Sequence, residues 1–424
     1  MRTTDKQMPR LNSAASRLRP GLLLLPALGV GLCLLAGCGG KAAQAPSSIQ
    51  SSDSASKETT SVSVTRAVPT WLGNPSRNFY GSGPWTTDAP PEVLWKVRTG
   101  VSAGPLHKDA WGGSGWPGQP SFSGDRVYFG SADSYVYCLN AQDGSLIWKY
   151  KTEDSLKATP TVAGDRILAS GLDHYVYCLN ARDGSLNWKY KTGVEVDGSA
   201  AVIDDRIYFG AEDHFFYCLD LKDGALVYKR EVGSVEGSVT VMDGRAFFGT
   251  EQGDLYCLNL AGGEVIWKSR IDADSDSTPA VVNGFVYTAA EDGNVSCYKQ
   301  ASGELVWRSK TGSDILASPV VVGDRVYVGS ADKNMYCLRA DNGEFIWHYK
   351  TRAIIWGTGP VVDGRVIFGD KAGWLYALSA EDGRLIWELR IGETINATPA
   401  IAGGRIYIGD NAHLNCLGTR APSS

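Results

Sequence analysis

The stretch Ala158–Thr192 reads ATPTVAGDRILASGLDHYVYCLNARDGSLNWKYKT, and close copies of it follow one another at intervals of 39 or 40 residues. Self-similarity at a fixed interval of this length is the signature of a repeat architecture.

Each copy contains four short segments with the alternation that is typical of β-strands. A small apolar segment is followed by a two-residue turn such as Gly164-Asp165 or Asp243-Gly244, and then by a segment of the form RVYFG. The third segment is YVYCL (135–139) and the fourth is LIWKYK (146–151). Glycine, asparagine and aspartate in the turns supply the positive φ angles of tight hairpins.

Four strands in a unit of about 40 residues predict a β-propeller. The fourth strand occurs eight times, and so do the first three strands. The first fourth-strand copy (92–98) has no partners before it, and the last three-strand set (397–416) has none after it. The sequence thus predicts an all-β, eight-bladed β-propeller with four-stranded antiparallel blades. The N-terminal strand is expected to pair with the three C-terminal strands and close the ring.

Seven cysteines recur in the third strand, and Ala377 stands at the same position in the one remaining copy. Third strands of neighbouring blades are too far apart for a disulfide, which needs Cα atoms within about 7 Å. We therefore predict seven buried free thiols that pack as small apolar side chains, at positions Cys138, Cys178, Cys218, Cys257, Cys297, Cys337 and Cys416.

The N-terminal residues resemble a membrane-targeting sequence. A positively charged start precedes the apolar run 21–37, which is short for a membrane-spanning helix of about 20 residues. Leu35-Ala36-Gly37-Cys38 resembles the bacterial lipobox, which implies cleavage before Cys38 and lipid on its sulfur. Residues 1–37 are expected to be a signal peptide and 38–66 a flexible Ser-rich tether. The alternative is an uncleaved membrane helix.

The lipoprotein hypothesis carries consequences for charge and location. The formal net charge of −5 would become more negative without the basic signal peptide, and an acidic chain without a basic stripe is a poor nucleic-acid ligand. Gly39 after the lipidated cysteine favours the periplasmic face of the outer membrane in a host with two membranes. In a host with one membrane the protein would lie on the outer face of the cytoplasmic membrane. The propeller is expected to span residues 67–418, with a short tail at 419–424.

The third and fourth strands carry a family resemblance. Residues 138–148 (CLNAQDGSLIW) are similar to the quinoprotein-type repeat, Ala-Leu-Asp-x-x-Thr-Gly-x-x-x-Trp, and the similarity recurs in register over 68–418. A quinoprotein dehydrogenase would imply bound pyrroloquinoline quinone, a calcium ion, a catalytic aspartate and often a disulfide between adjacent cysteines. The chain has no adjacent cysteines. We therefore predict no cofactor, no metal and no catalytic residues.

A lipobox, a tether and an eight-bladed ring of this repeat together resemble the lipoprotein family of the outer-membrane β-barrel assembly machine. That resemblance implies a non-enzymatic, monomeric scaffold that binds an assembly protein or nascent barrel strands near the membrane. It is a likeness of fold, since function is carried by particular sites. The dehydrogenase and a sensor for a glycan, cation or small molecule remain as alternatives.

Residues that depart from the repeat are the candidates for binding. The longest departure is 100–118, which contains Trp111 and Trp116 among glycines. Two tryptophans outside the repeat register favour a partner-binding loop. The alternative is that they fill the channel or pack on the closing blade.

A second departure is the residue just before each first strand. Three successive copies carry acids at or near this position, and the copies that follow carry apolar residues. Such a divided ring suits a partner with basic and hydrophobic elements. The alternatives are a calcium site and ordinary solvated acids. The predicted partner-binding residues of this ring are Lys157, Asp197, Glu236, Asp276, Leu316, Ile354 and Trp356.

Overall fold

The computed structural model describes residue 83 and residues 88–100 and 119–419, all within the unit Val62–Ser424. The described residues form β-strands, turns and loops, without helices. Accordingly, this part of the chain offers no apolar helix of membrane-spanning length. The predictions for the signal peptide, Cys38, the tether, Trp111 and Trp116 fall outside the described residues.

The strands are numbered in chain order, and each blade takes four of them. The outermost strands are β1 (Glu92–Arg98), β5 (Leu146–Lys151), β9 (Leu186–Lys191), β13 (Leu226–Glu231), β17 (Val265–Arg270), β21 (Leu305–Lys310), β25 (Phe345–Lys350) and β29 (Leu385–Arg390). The innermost are β2 (Ser121–Ser123), β6 (Thr161–Ala163), β10 (Ala201–Ile203), β14 (Thr240–Met242), β18 (Ala280–Val282), β22 (Val320–Val322), β26 (Val361–Val362) and β30 (Ala400–Ala402).

Between them lie two buried strands per blade. The second strands are β3 (Arg126–Ser131), β7 (Arg166–Ser170), β11 (Arg206–Gly210), β15 (Arg245–Gly249), β19 (Phe285–Ala289), β23 (Arg325–Gly329), β27 (Arg365–Gly369) and β31 (Arg405–Gly409). The third strands are β4 (Tyr135–Asn140), β8 (Tyr175–Asn180), β12 (Phe215–Asp220), β16 (Asp254–Asn259), β20 (Asn294–Lys299), β24 (Asn334–Arg339), β28 (Trp374–Ser379) and β32 (His413–Gly418).

The described residues form eight four-stranded antiparallel sheets, as predicted. Blades 1 to 7 follow the chain from β2–β5 to β26–β29, and blade 8 has the order β1-β32-β31-β30. Strand β1 pairs with β32 so that Trp95 lies opposite Cys416 and Arg98 opposite His413. The two ends of the described propeller are therefore joined in one blade, and the predicted closure of the ring is confirmed.

The fourth-strand tryptophans join each blade to the next. The indole Nε1 of Trp148 in blade 1 donates to the carbonyl of Ala181 in blade 2 at 3.1 Å. The same ring packs on Gly184, where an added Cβ would lie 2.6 Å from a ring carbon. In blade 3 the hydroxyl of Tyr228 donates to Leu260 O at 2.6 Å. Tyrosine can replace tryptophan there because its hydroxyl reaches the same carbonyl position.

The repeated cysteines are free and buried in the part of the chain that the structure describes. Cys178 lies between Leu168 and Trp188 on the neighbouring strands, and Ala377 occupies the corresponding position between Ile367 and Trp387. Burial raises the pKa of the Cys138 thiol to about 12 and that of Cys416 to about 11. The prediction of buried structural thiols is confirmed.

We expect these seven thiols to react slowly with a maleimide in the folded protein, because only the thiolate is nucleophilic. Mass spectrometry should show these seven positions almost unmodified in the native protein within minutes. In denaturant all seven should react. Rapid labelling of several third-strand cysteines without denaturant would contradict the buried assignment.

Candidate binding site at the mouth of the propeller

Two sets of loops lie at one end of the blades, which we call the mouth. One set leads from each fourth strand to the next first strand, and the other is the turn between the second and third strands. Backbone hydrogen bonds join the sets, from Glu212 N to Glu195 O at 3.2 Å and from Lys371 N to Ile354 O at 3.0 Å. The two sets of loops therefore lie next to each other at this end of the propeller.

A ring of hydroxyl side chains surrounds the axis just inside the mouth. Each backbone N–H donates to the hydroxyl of the next blade, for example Thr159 N to Ser199 Oγ at 3.0 Å and Ser238 N to Thr278 Oγ1 at 3.0 Å. Gln119 continues the ring by donating from Nε2 to Pro399 O at 2.7 Å. The hydroxyl residues are Thr159, Ser199, Ser238, Thr278, Ser318, Thr358 and Thr398.

Above this ring is a cavity of about 270 Å³, which we call the axial cavity. Its walls include six of the residues predicted for binding, namely Lys157, Asp197, Glu236, Asp276, Leu316 and Trp356. The acids come from blades 3, 4 and 5 and the apolar residues from blades 6 and 7. The divided ring expected from the sequence is therefore the wall of a single cavity.

Ile354 differs from the other predicted residues. It is half-buried and does not line the axial cavity. Its neighbour Ile355 is fully buried between blades, as are the equivalent Val196 and Ile315. These apolar residues between the two rows of the mouth turn into the sheet packing, which fixes the direction of the side chains on either side of them.

Lys157 is the cation of the axial cavity. Its ammonium is ion-paired with Asp197 Oδ2 and lies 3.7 Å from Glu236 Oε1. The side chain of Asp197 is 3% exposed and that of Glu236 32% exposed. Asp197 is thus a buried acid rather than a solvated rim residue, and its Oδ1 has no hydrogen-bond partner among the described residues.

The sequence analysis missed two acids of this site. Glu212 lies with Asp197 and Glu236, with one oxygen of each within 4.8 Å of the others, and Glu291 lies in the same way with Asp274 and Asp276. Glu212 and Glu291 belong to the turns between the second and third strands. Their signal is that blades 3, 4 and 5 carry glutamate at one turn position, where blades 1, 2 and 6 carry Ala132, Leu172 and Ala331.

Burial and crowding of like charges raise the pKa values of these acids. Burial, and then the charge of Asp197, raise the pKa of Glu212 to about 9. Burial raises the pKa of Asp274 to about 6, with Glu291 contributing next. The pKa of Asp276 is raised by burial and by Glu236. For Asp197, burial outweighs the ammonium of Lys157, so its pKa is also raised.

Each of the two acid groups offers three carboxylates, a donor set that suits a hard cation such as Ca²⁺. In the first group the ammonium of Lys157 already neutralises Asp197 and approaches Glu236. The second group includes the exposed Glu291. The mouth is consequently acidic on one side and apolar on the other.

Solved structures with this fold include proteins of different kinds. BamB from Moraxella catarrhalis matches with a TM-score of 0.62 at 17% identity, over 79% of this chain and 100% of that one. Quinohemoprotein alcohol dehydrogenase from Comamonas testosteroni matches with a TM-score of 0.71 at 12% identity, over 86% and 83%. The computationally designed Ika8 protein matches with a TM-score of 0.66 at 14% identity, over 72% and 97%. These likenesses are of fold alone, and they agree with the eight-bladed propeller observed here.

A match to a sequence family gives a more specific classification than the fold does. The model for outer membrane protein assembly factor BamB matches residues 87–242, 217–354 and 350–415. The chain belongs to this family. A comparison with curated proteins gave no match.

The lining of the axial cavity can be compared with the charge of pyrroloquinoline quinone, the cofactor of quinoprotein dehydrogenases. Pyrroloquinoline quinone is a tricarboxylate, and the cavity wall includes the three acids Asp197, Glu236 and Asp276. Among the described lining residues there is no arginine, and the lysine, Lys157, is already bound by Asp197. The residues present do not fit this anionic cofactor, and we derive no reaction step through it.

Proposed function

We propose that the protein is a non-enzymatic scaffold of the cell envelope that binds a partner protein at the mouth of its propeller. Membership of the BamB family is the observation that carries this proposal. The lipobox at Cys38 supports attachment to a membrane, and Gly39 supports the periplasmic face of the outer membrane. The role would be similar to assembly of outer-membrane proteins, the activity that the family description names.

The composition of the mouth supports protein binding over catalysis. Its acidic half and its apolar half, Leu316 and Trp356, are arranged around one cavity. Complementary charge steers a partner to the surface, and burial of the apolar residues contributes affinity. The partner that this surface suits presents a basic residue next to aliphatic or aromatic ones, as a β-barrel assembly protein can.

Site-specific cross-linking tests the proposed surface. A photoreactive amino acid at the exposed Asp314, in the mouth, should capture a partner in intact cells. The same group at Asp324, in the turn at the opposite end of the innermost strand of that blade, should capture much less. Mass spectrometry identifies the captured protein. Equal capture from both positions, or none from Asp314, would contradict docking at the mouth.

Charge reversal at Glu236 should weaken co-purification of that partner about tenfold, which corresponds to roughly 1.4 kcal/mol. Glu236 is partly exposed, so a lysine there reaches solvent while repelling a basic partner. D324K on the opposite face is the matched control and should bind normally. An unchanged yield of the co-purified partner with E236K would show that the acidic side of the mouth does not contribute to partner binding.

The dehydrogenase alternative has a direct assay. Purified protein is mixed with pyrroloquinoline quinone, calcium, a range of alcohols and a dye acceptor. We expect no dye reduction above that of the quinone alone. Protein-dependent turnover would overturn the non-enzymatic proposal.

A further inference from the structure

The axial cavity already holds one ammonium group, that of Lys157. This ammonium is ion-paired with Asp197 and approaches Glu236, and the lysine side chain is only 13% exposed. Burial opposes its charge, but Asp197 and Glu236 together raise the pKa of Lys157. The chain itself thus demonstrates that an alkylammonium group is accommodated between these carboxylates.

One ammonium does not satisfy the acids of the cavity. Asp197 Oδ1 and Asp276 Oδ1 are both buried, and neither has a hydrogen-bond partner in the described part of the chain. Asp197 is more than nine-tenths buried and lines the cavity. A buried carboxylate oxygen without a donor costs free energy. The lining holds three carboxyl groups, those of Asp197, Glu236 and Asp276, against the one ammonium of Lys157, which leaves acceptors for a second cation that brings its own N–H donors.

The apolar part of the wall decides what kind of cation this is. Leu316 and Trp356, from blades 6 and 7, line the cavity together with the acids of blades 3, 4 and 5. Apolar side chains stabilise the hydrocarbon stem of an organic cation but do not replace the oxygen ligands of a metal ion. One face of the Trp356 ring already holds a cation, because Lys371 Nζ lies 3.3 Å from its centre. Lys157, close to Asp197 and Glu236, disfavours a divalent ion there by charge repulsion.

We propose that the axial cavity binds an alkylammonium group, such as a lysine side chain, between Asp276 and Asp197 with its hydrocarbon stem against Leu316 and Trp356. This inference rests on the proposed function and extends it, because it names the group that a partner inserts. A free alkylamine offers the same chemistry without a partner protein. The hydroxyl ring below supplies further acceptors for the ammonium at the base of the cavity.

Isothermal titration of the full-length protein with N-acetyl-lysine methylamide tests the proposal. N-acetyl-norleucine methylamide, which has the hydrocarbon stem without the ammonium, is the matched ligand. We expect the lysine derivative to bind at least tenfold more tightly. Equal binding of the two derivatives, or binding of neither, would overturn the proposal.

Two substitutions should move the affinity in opposite directions. Lys157→Met removes the competing ammonium and should strengthen binding of the lysine derivative about tenfold, whereas Asp276→Asn should weaken it about tenfold. D324N, on the opposite face, should leave it unchanged. Thermal unfolding confirms that each variant is folded. E236Q, at a partly exposed position, should also weaken binding of the lysine derivative and replaces D276N in the test if that variant is unstable.

The remaining outcomes separate this inference from the proposed function. Tight calcium binding that D276N abolishes, with no preference for lysine over norleucine, would make the site a metal site and sink the inference. Lysine binding without any captured partner would retain the ammonium site and contradict the scaffold. A captured partner without a preference for lysine would support the scaffold and contradict the ammonium site.

Discussion

Replacing Gly184 by alanine should destabilise the protein by about 3 kcal/mol, while the same change at Gly164 in the same blade should cost only about 1 kcal/mol. Both glycines have a positive φ, of 74° and 62° respectively. An added Cβ at Gly184 lies 2.6 Å from a ring carbon of Trp148 of the preceding blade, whereas one at Gly164 meets nothing within 4 Å. The backbone cost is shared, so the difference measures the contact between blades.

Urea unfolding followed by circular dichroism gives the two free energies. Trp148→Ala supplies the decisive comparison, because removal of the indole removes the obstacle. In that background G184A should cost only the backbone term, about 1 kcal/mol, as in a double-mutant cycle. Equal costs for G184A with and without Trp148 would show that the indole does not limit the space at this turn.

This contact shows why the fold could be predicted so far from sequence. The tryptophan of the fourth strand and the glycine of the turn in the next copy are separate positions of the repeat, yet they are in contact across the boundary between blades. Seven copies carry the tryptophan, with Tyr228 in the eighth, and seven carry the turn glycine. The same regularity predicted the closure, where Trp95 donates to Ala141 O at 3.2 Å although these residues belong to blades 8 and 1.

The candidate site was predictable only in part. Asp197, Glu236 and Asp276 could be predicted to lie together, because each precedes the first strand of its blade and the repeat places this residue equivalently in every blade. The burial of Asp197 was not predictable, since it depends on a lysine from the preceding blade and on the depth of the cavity.

Glu212 was missed for a related reason, namely that its neighbour Asp213 looks equivalent in the sequence. In the structure Asp213 accepts from the hydroxyl of Tyr217 at 2.6 Å and from Gly193 N at 2.7 Å, which is a structural role within the turn. Glu212 instead approaches Asp197 and Glu236. The direction of the side chain separates the two acids in space. The repeat separates them in sequence, because aspartate recurs at the Asp213 position in blades 1, 2 and 6, where the Glu212 position has no acid.

The crowded acids of the mouth also predict how stability changes with pH. In the folded state Glu212 keeps its proton up to a pKa of about 9, and the pKa of Asp276 is raised as well. In the unfolded chain both lose their protons near pH 4. These acids thus bind more protons in the folded state than in the unfolded state between these values, and their contribution to stability falls as pH rises from about 4 towards 9. Asp197, Asp274 and Glu291 act in the same direction, since their pKa values are raised too.

Asp276→Asn and Glu212→Gln should each flatten this dependence and raise the melting temperature at pH 8 above that of the unaltered protein. Each removes a slope of at most about 1.4 kcal/mol per pH unit, because one proton is no longer released on unfolding. The control is Asp143→Asn, since hydrogen bonds from Ser145 lower the pKa of this exposed acid and it is ionised in both states. Differential scanning fluorimetry from pH 5 to 9 measures all four proteins. Parallel curves for D276N, E212Q and D143N would mean that the mouth acids are ionised in the folded protein, and that a cation or solvent already compensates their charge.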